Sequence, residues 1–309
     1  MAPAKMQESP TGIRSLPWRR IGSIALGVGG FAVVAAGLVA AESRAAAMVG
    51  TGTPQVRYQW AEARTGDQDG VWPPISAQIE LLDEAHAAAA RSGGAFSGRT
   101  LTAVAAVLEQ SGWVDHVRRV IRSDDGSIDV SAKWRRPAAV VLQSGREFAV
   151  SRGVRRFPIE WPAGSSGLPA VIGARAATPG RDVVPGTVWP DFDVQAGVEL
   201  INLLHDELGP DPVLGERGFD QIVAVDVGRY TTLRQLRIRT DTGSTIVWGR
   251  SPSDPVQDVV DTPTKLRRLA NLRAHPDYGR RIDAGLDFID LSAGPILVES
   301  QGRPGDDAR

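Results

Sequence analysis

The strongest constraint on this chain is residues 21–41, IGSIALGVGGFAVVAAGLVAA, a run of 21 residues without a charge between Arg19-Arg20 and Glu42. At about 1.5 Å rise per residue a helix of that length reaches roughly 32 Å, which matches a hydrocarbon core of about 30 Å. No water is available in that core, so the backbone must satisfy its own hydrogen bonds as a helix. Five Gly and six Ala dilute nine residues of the Ile, Leu, Val and Phe type. Ala25/Gly29 and Ala32/Ala36/Ala40 have the small-xxx-small spacing of a helix-packing face, a spacing that ordinary Ala and Gly content also produces. The rival reading is a cleaved signal peptide, with Ala45-Ala46-Ala47 as the small residues at the cut. Signal peptides usually carry an apolar region of only about 7–15 residues, which favours a retained anchor. Lys5, Arg14, Arg19 and Arg20 precede the span and only Arg44 follows closely. The positive-inside bias therefore keeps the N-terminus cytoplasmic and sends the body across the membrane, with Trp18 at the headgroup level.

The 261 residues after Met48 suffice for two ordinary domains. With 42% apolar and 23% charged residues the body reads as globular. A net charge of −1 argues against a nucleic-acid or anionic-lipid surface partner. The absence of cysteine excludes disulfides and thiolate chemistry, so a body outside the membrane must be held by its core alone.

Residues 1–20 form a polar tail with Pro3, Pro10 and Pro17, and 42–54 an Ala-containing stalk. Val56, Tyr58 and Trp60 alternate against Arg57 and Gln59, predicting a half-buried strand over 56–61. Residues 65–74 read as a loop. Ile75, Ile79, Leu82 and Ala89 predict a helix over 75–91, stopped by Gly93-Gly94. Leu101, Val104, Ala105 and Leu108 predict a second helix, with Thr100 as N-cap and Gly112 just past its end. Strands are expected over 117–122 and 127–134, joined by the Asp124-Asp125-Gly126 turn, with Ile128, Val130, Ala132 and Trp134 on one face. The order strand, helix, helix, strand, strand over 55–137 describes a compact α+β module with both helices on one face of a three-stranded sheet.

From 138 to 299 the text is strand-rich, with strands expected over 138–142, 147–150, 156–161, 222–227, 233–239, 244–249, 286–291 and 295–298. Asp241-Thr242-Gly243 reads as a hairpin turn. Helices are expected over 194–208, stopped by Gly209-Pro210, and over 264–274, with Thr262 as N-cap and Pro263 at the first helical position. Loops rich in Pro and Gly fill 162–192 and 209–218, and 300–309 is a patternless tail.

No catalytic or cofactor pattern emerges. His86, His116, His205 and His275 are too dispersed to pair as metal ligands, and His86 and His205 read as helix-packing residues. Gly164-Ser165-Ser166-Gly167 lacks the spacing of a nucleophile elbow. Gly27, Gly29 and Gly30 mimic part of a dinucleotide fingerprint but lie inside the apolar span, without a preceding strand. Asp124/Asp125, Asp191/Asp193 and Asp206/Glu207 read as turns, caps and solvated faces. Arg135-Arg136, Arg155-Arg156, Arg267-Arg268 and Arg280-Arg281 are scattered and read as surface.

The chain resembles the FtsQ/DivIB family of bacterial cell-division proteins in its whole architecture: short tail, single span, β-α-α-β-β module and β-rich domain. Lys133-Trp134-Arg135-Arg136-Pro137-Ala138-Ala139 looks like the family's E-R-x-P-x-A segment, with Trp134 as a departure. FAVSRGVRRF at 148–157 looks like the segment with Asp and Gly before an aromatic, Ser151 standing for the Asp. Leu168-Pro169-Ala170-Val171-Ile172-Gly173 looks like L-P-x-[IL]-x-G. Residues 243–249 followed by Lys265-Leu266-Arg267-Arg268-Leu269 look like G-x-x-V-x-L-G and a lysine-led helix. Phe288-Ile289-Asp290-Leu291-Ser292 looks like the family's final strand, where Arg commonly follows Asp-Leu.

The resemblance implies that the 55–137 module is POTRA-like and that the chain is a single-pass type II protein of the bacterial inner membrane with its body outside the cytoplasm. It implies a non-enzymatic scaffold, without cofactor or metal, that recruits bitopic partners of the FtsB/FtsL kind to the septum. The resemblance places partner contacts on Leu286, Phe288, Asp290, Leu291 and Ser292. A POTRA-containing component of an export or envelope-assembly system and an anchored envelope hydrolase with an acidic dyad are the alternatives.

Overall fold

The computed structural model describes residues 54–60, 72–92, 97–175, 179–208, 218–256, 258–275, 281–295 and 297–299. The 21–41 span, the 300–309 tail, Gly93-Gly94 and Gly209-Pro210 lie outside these residues. No helix among the described residues is long and apolar enough to cross a membrane. The described chain is a mixed α+β structure with two mixed sheets and five helices.

The first sheet has the order β1-β3-β2, with β1 Val56–Tyr58, β2 Val114–Arg122 and β3 Ile128–Trp134. β1 runs parallel to β3, and β2 pairs antiparallel with it through the hairpin at Asp125-Gly126. Helices α1 (Ile75–Arg91) and α2 (Gly98–Gln110) share one core with this sheet, including Leu81, Ala85, Val104, Leu108, Ile128, Val130 and Trp134. Leu101 is only half-buried at its margin.

Two local expectations change. The buried stripe of α1 is Ala77, Leu81, Ala85, Ala88 and Ala89, while Ile75 and Ile79 are 72% and 55% exposed. Alanines let a helix approach its neighbours closely, and close packing outweighs the larger side chains on the other face. The cap of α2 is Ser97, whose hydroxyl accepts from the Arg99 amide at 3.2 Å; Thr100 is buried within the first turn.

The second sheet has nine strands in the order β12-β11-β10-β9-β8-β7-β4-β5-β6. In chain order these are β4 Pro137–Gln143, β5 Arg146–Ser151, β6 Arg156–Pro162, β7 Ala170–Ile172, β8 Ile222–Arg229, β9 Gln235–Thr240, β10 Thr245–Gly249, β11 Phe288–Asp290 and β12 Leu297–Glu299. β7 is parallel to both β4 and β8, and β10 is parallel to β11, while the other pairs are antiparallel. β7 lies inside the stretch expected to be a loop, because a three-residue strand flanked by Pro169 and Gly173 shows no readable period. Gly173 has φ +74°, and a Cβ there would stand 2.9 Å from the Gly228 amide, so the chain leaves β7 against β8 through a position only glycine fills without strain. The strand expected from Leu233 starts at Gln235, because Tyr230–Leu233 forms one helical turn, α4.

Helices α3 (Phe192–Glu207) and α5 (Thr262–Ala274) join the sheet in one core, with Val198, Leu200, Ile201, Leu204 and Leu269 meeting Val171, Val225, Ile238, Trp248 and Ile289. α5 is capped by Asp261, whose carboxylate accepts from the Thr264 amide at 3.0 Å, one residue before the expected cap.

Candidate functional site

The C-terminal end of the nine-stranded sheet gathers the residues singled out by sequence. β11 pairs with β10 on one side (Ile289 opposite Ile246) and with β12 on the other (Ile289 opposite Val298). β12 is the last strand, and no strand among the described residues pairs with its outer side. An open edge of this kind presents backbone N–H and C=O groups that another chain can pair with.

Leu291 is fully buried and its amide donates to the Val247 carbonyl at 3.0 Å, while Leu286 packs partly buried on the same core. Phe288 and Asp290 are half-buried on the opposite face of β11. Asp290 ties the following turn, its Oδ1 accepting from the Ser292 amide at 2.8 Å and from the Ser292 hydroxyl at 2.7 Å. All five residues therefore meet at one corner, but β11 is an interior strand. Its backbone is already paired on both sides, and the edge left open among the described residues belongs to β12.

Three polar clusters hold this corner in place. Arg268 on α5 donates from Nη1 to the carbonyls of Leu291 at 3.1 Å and Ala293 at 2.9 Å, and from Nη2 to Gly294, gripping the turn between β11 and β12. Lys265, one turn earlier and 2% exposed, donates to Asp258 and lies 5.2 Å from the Trp248 ring centroid. A charge buried this far requires such a partner. Asp283, in the turn ahead of β11, accepts from Arg281 Nε at 2.9 Å, Thr240 at 2.8 Å, Thr242 at 2.7 Å and the Gly285 amide at 3.0 Å. Burial alone would push the Asp283 carboxyl up, but these donors hold it well below the usual carboxylate range. The Asp283 and Asp241 carboxylates in turn raise the Arg281 guanidinium. The β9–β10 hairpin is thereby fastened to the segment that delivers β11.

These clamps correct the expectation of a solvated surface for one member of each arginine pair, while Arg155 and Arg267 are exposed. Arg268 and Arg281 grip the site, Arg156 is buried over the Phe148 ring, and the Arg135 side chain is only 11% exposed. For Arg268 a signal existed: it follows Lys265 by three positions and abuts Leu269 in the inward stripe of α5. For Arg156 and Arg135 no local pattern announces the burial, and Arg281 pairs with Asp283 two residues on, a carboxylate that also accepts from Thr240 and Thr242 on a distant hairpin.

The remaining candidates have structural partners. His86 accepts from the Val56 amide at 3.0 Å, tying α1 to β1, and His205 meets Phe219 edge-to-face with ring centroids 4.9 Å apart, beside Arg152 and Asp206. Glu147 accepts from the Gly164 and Ser166 amides, so the Gly164–Gly167 loop is fastened by a carboxylate. Asp125 binds its own turn and Arg57, Asp206 pairs with Arg152, and Asp193 accepts from the Arg175 amide. Among the described residues no group of three or more His, Cys, Asp and Glu could hold a metal ion.

No protein-family profile and no curated protein matches the chain. The fold and this corner define an α+β body of two mixed sheets with a clamped, open-edged terminal hairpin.

Proposed function

We propose that this protein is a non-enzymatic scaffold of the bacterial division machinery, of the FtsQ/DivIB kind, anchored by residues 21–41 with its body outside the cytoplasm. The observation that carries this reading is β12, an edge strand whose outer side no other strand among the described residues pairs with and whose approach is clamped by Arg268, Asp290 and the Asp283–Arg281 cluster. In this reading the β-α-α-β-β order from Val56 to Trp134 is a POTRA-like module. The partner is a bitopic protein of the FtsB/FtsL kind that adds a strand beside β12, with Phe288 and Asp290 one strand further in, on β11. Backbone pairing supplies most of the affinity in strand addition, and a rigid edge lowers the ordering cost.

The test combines location and capture. A fluorescent fusion concentrates at the septum, and the intact body recovers bitopic envelope proteins in a pull-down. Proline placed in turn at 297, 298 and 299 removes one backbone donor each time. Variants that keep the β11–β12 pairing but lose the outward donor should fold and lose the partner. Uniform fluorescence around the envelope, or undiminished capture by every folded proline variant, would defeat the proposal.

A further inference from the structure

The opposite end of the nine-stranded sheet is built differently from the β12 end. β6 is the last strand there, yet its edge is occupied. The Arg156 amide donates to the Thr187 carbonyl at 3.0 Å, and the Gly186 amide donates back to the Arg156 carbonyl at 2.7 Å. The Trp189 amide donates to the Val154 carbonyl at 2.9 Å, and Arg155 Nη1 donates to the Gly186 carbonyl at 3.0 Å. Further along β6, Pro158 and Pro162 have no N–H to offer.

The covering segment is 179–190, anchored on either side in the large core and at its middle on the three-stranded module. Val183 and Trp189 are buried in the large core, with the Trp189 ring 6.2 Å from Phe148. In its middle, Gly186 lies against Gly112 of the three-stranded module. Both have positive φ (+82° and +81°), and a Cβ on Gly112 would stand 2.9 Å from the Gly186 amide nitrogen. Around this contact Arg135 Nη1 donates to the Gly112 carbonyl at 3.1 Å, and Trp72 Nε1 donates to the Arg135 carbonyl. The rings of Trp72 and Trp113 meet each other at 5.3 Å and meet Phe157 of β6 at 5.8 and 5.7 Å.

We infer that segment 179–190 is a strap that seals the β6 edge and fixes the three-stranded module on the nine-stranded sheet, so that the body moves as one rigid arm and, among the described residues, the nine-stranded sheet keeps its open edge at β12. A two-residue hydrogen-bonded exchange with β6 does what a tenth strand would do, without presenting a new edge of its own. The prolines blunt what the strap does not reach. The Gly112–Gly186 contact joins the same strap to the module, so edge closure and module orientation are coupled. This inference stands on the contacts alone, whether or not the chain acts in division.

The test uses the full-length chain in detergent. Because the sequence has no cysteine, spin labels at Glu109→Cys and Glu207→Cys report one distance between the module and α3. The unaltered strap predicts a single narrow distance distribution and concerted hydrogen exchange of the segments around Arg156 and Gly186. Gly186→Val, which pushes a branched side chain at Gly112, should broaden the distribution and speed exchange in both segments while α5 stays unchanged. Arg155→Ala removes one strap bond from an exposed residue and should speed exchange in both segments by roughly 3- to 10-fold. A broad distribution in the unaltered chain, or independent exchange of the two segments, overturns the inference. So does a narrow peak with unchanged exchange in folded Gly186→Val. If Gly186→Val does not fold, unchanged exchange in Arg155→Ala overturns it alone.

Discussion

Replacing Arg268 by Ala tests how the open edge is held. The guanidinium makes two part-buried bonds, to the carbonyls of Leu291 and Ala293, and a third, exposed one to Gly294. Hydrogen bonds from a charged donor are worth about 1.5–3 kcal/mol each, and the exposed one is discounted because water replaces it. Two bonds at the lower bound come to about 3 kcal/mol, or roughly a hundredfold in the local opening equilibrium at about 1.4 kcal/mol per tenfold. The loss falls on the β11–β12 turn, since α5 keeps Leu269 in the core and Lys265 on Asp258. Hydrogen exchange of a peptide spanning 286–299 should therefore accelerate by one to two orders of magnitude, with little change in the peptide covering α5. Arg268→Lys should recover only part of the protection, because a point charge cannot fork between carbonyls. An acceleration below about threefold would show that the turn is held by Asp290 and strand pairing instead, and that Arg268 is not the clamp described here.

Further outcomes follow from the same contacts. Leu108→Ala, at a fully buried site, should cost about 2–5 kcal/mol by denaturant unfolding, and half-buried Leu101→Ala should fall at or below the lower end of that range. Asp283→Asn should lower stability by roughly 3 kcal/mol near neutral pH, because Arg281 loses its buried partner. The folded carboxyl titrates below its unfolded value of about 3.9, so the stabilisation is complete above that pH and fades as pH falls further. Thermal melts of the two proteins should accordingly differ by a constant amount from pH 5 to 7 and converge below pH 4. Gly173→Ala should destabilise by about 2 kcal/mol or more, since it combines a positive φ with a backbone clash at Gly228; a neutral effect in chemical denaturation would contradict that geometry.

Much of the local structure was legible before any coordinates. The alternation through Ile128, Val130 and Trp134, the Asp-Gly turns and the limits of α1 follow from short-range chemistry: a pleat of period two, a glycine at positive φ, a proline that stops extension. What only tertiary structure decided is which surfaces those elements bury and which strands lie side by side. Ala77, Ala85 and Ala88 outrank Ile75 and Ile79 because the gain from close helix approach depends on the neighbours. β11 became interior and β12 the edge because α5 carries the chain across to set β11 parallel to β10, a pairing between segments some forty residues apart. The arginines that look like surface in the text became clamps because their acceptors, the carbonyls of 291–294 and the Asp283 carboxylate, exist as a cluster only once the strands are laid together. Local propensity is written residue by residue, whereas burial, edge position and ion pairing are properties of contacts between distant segments.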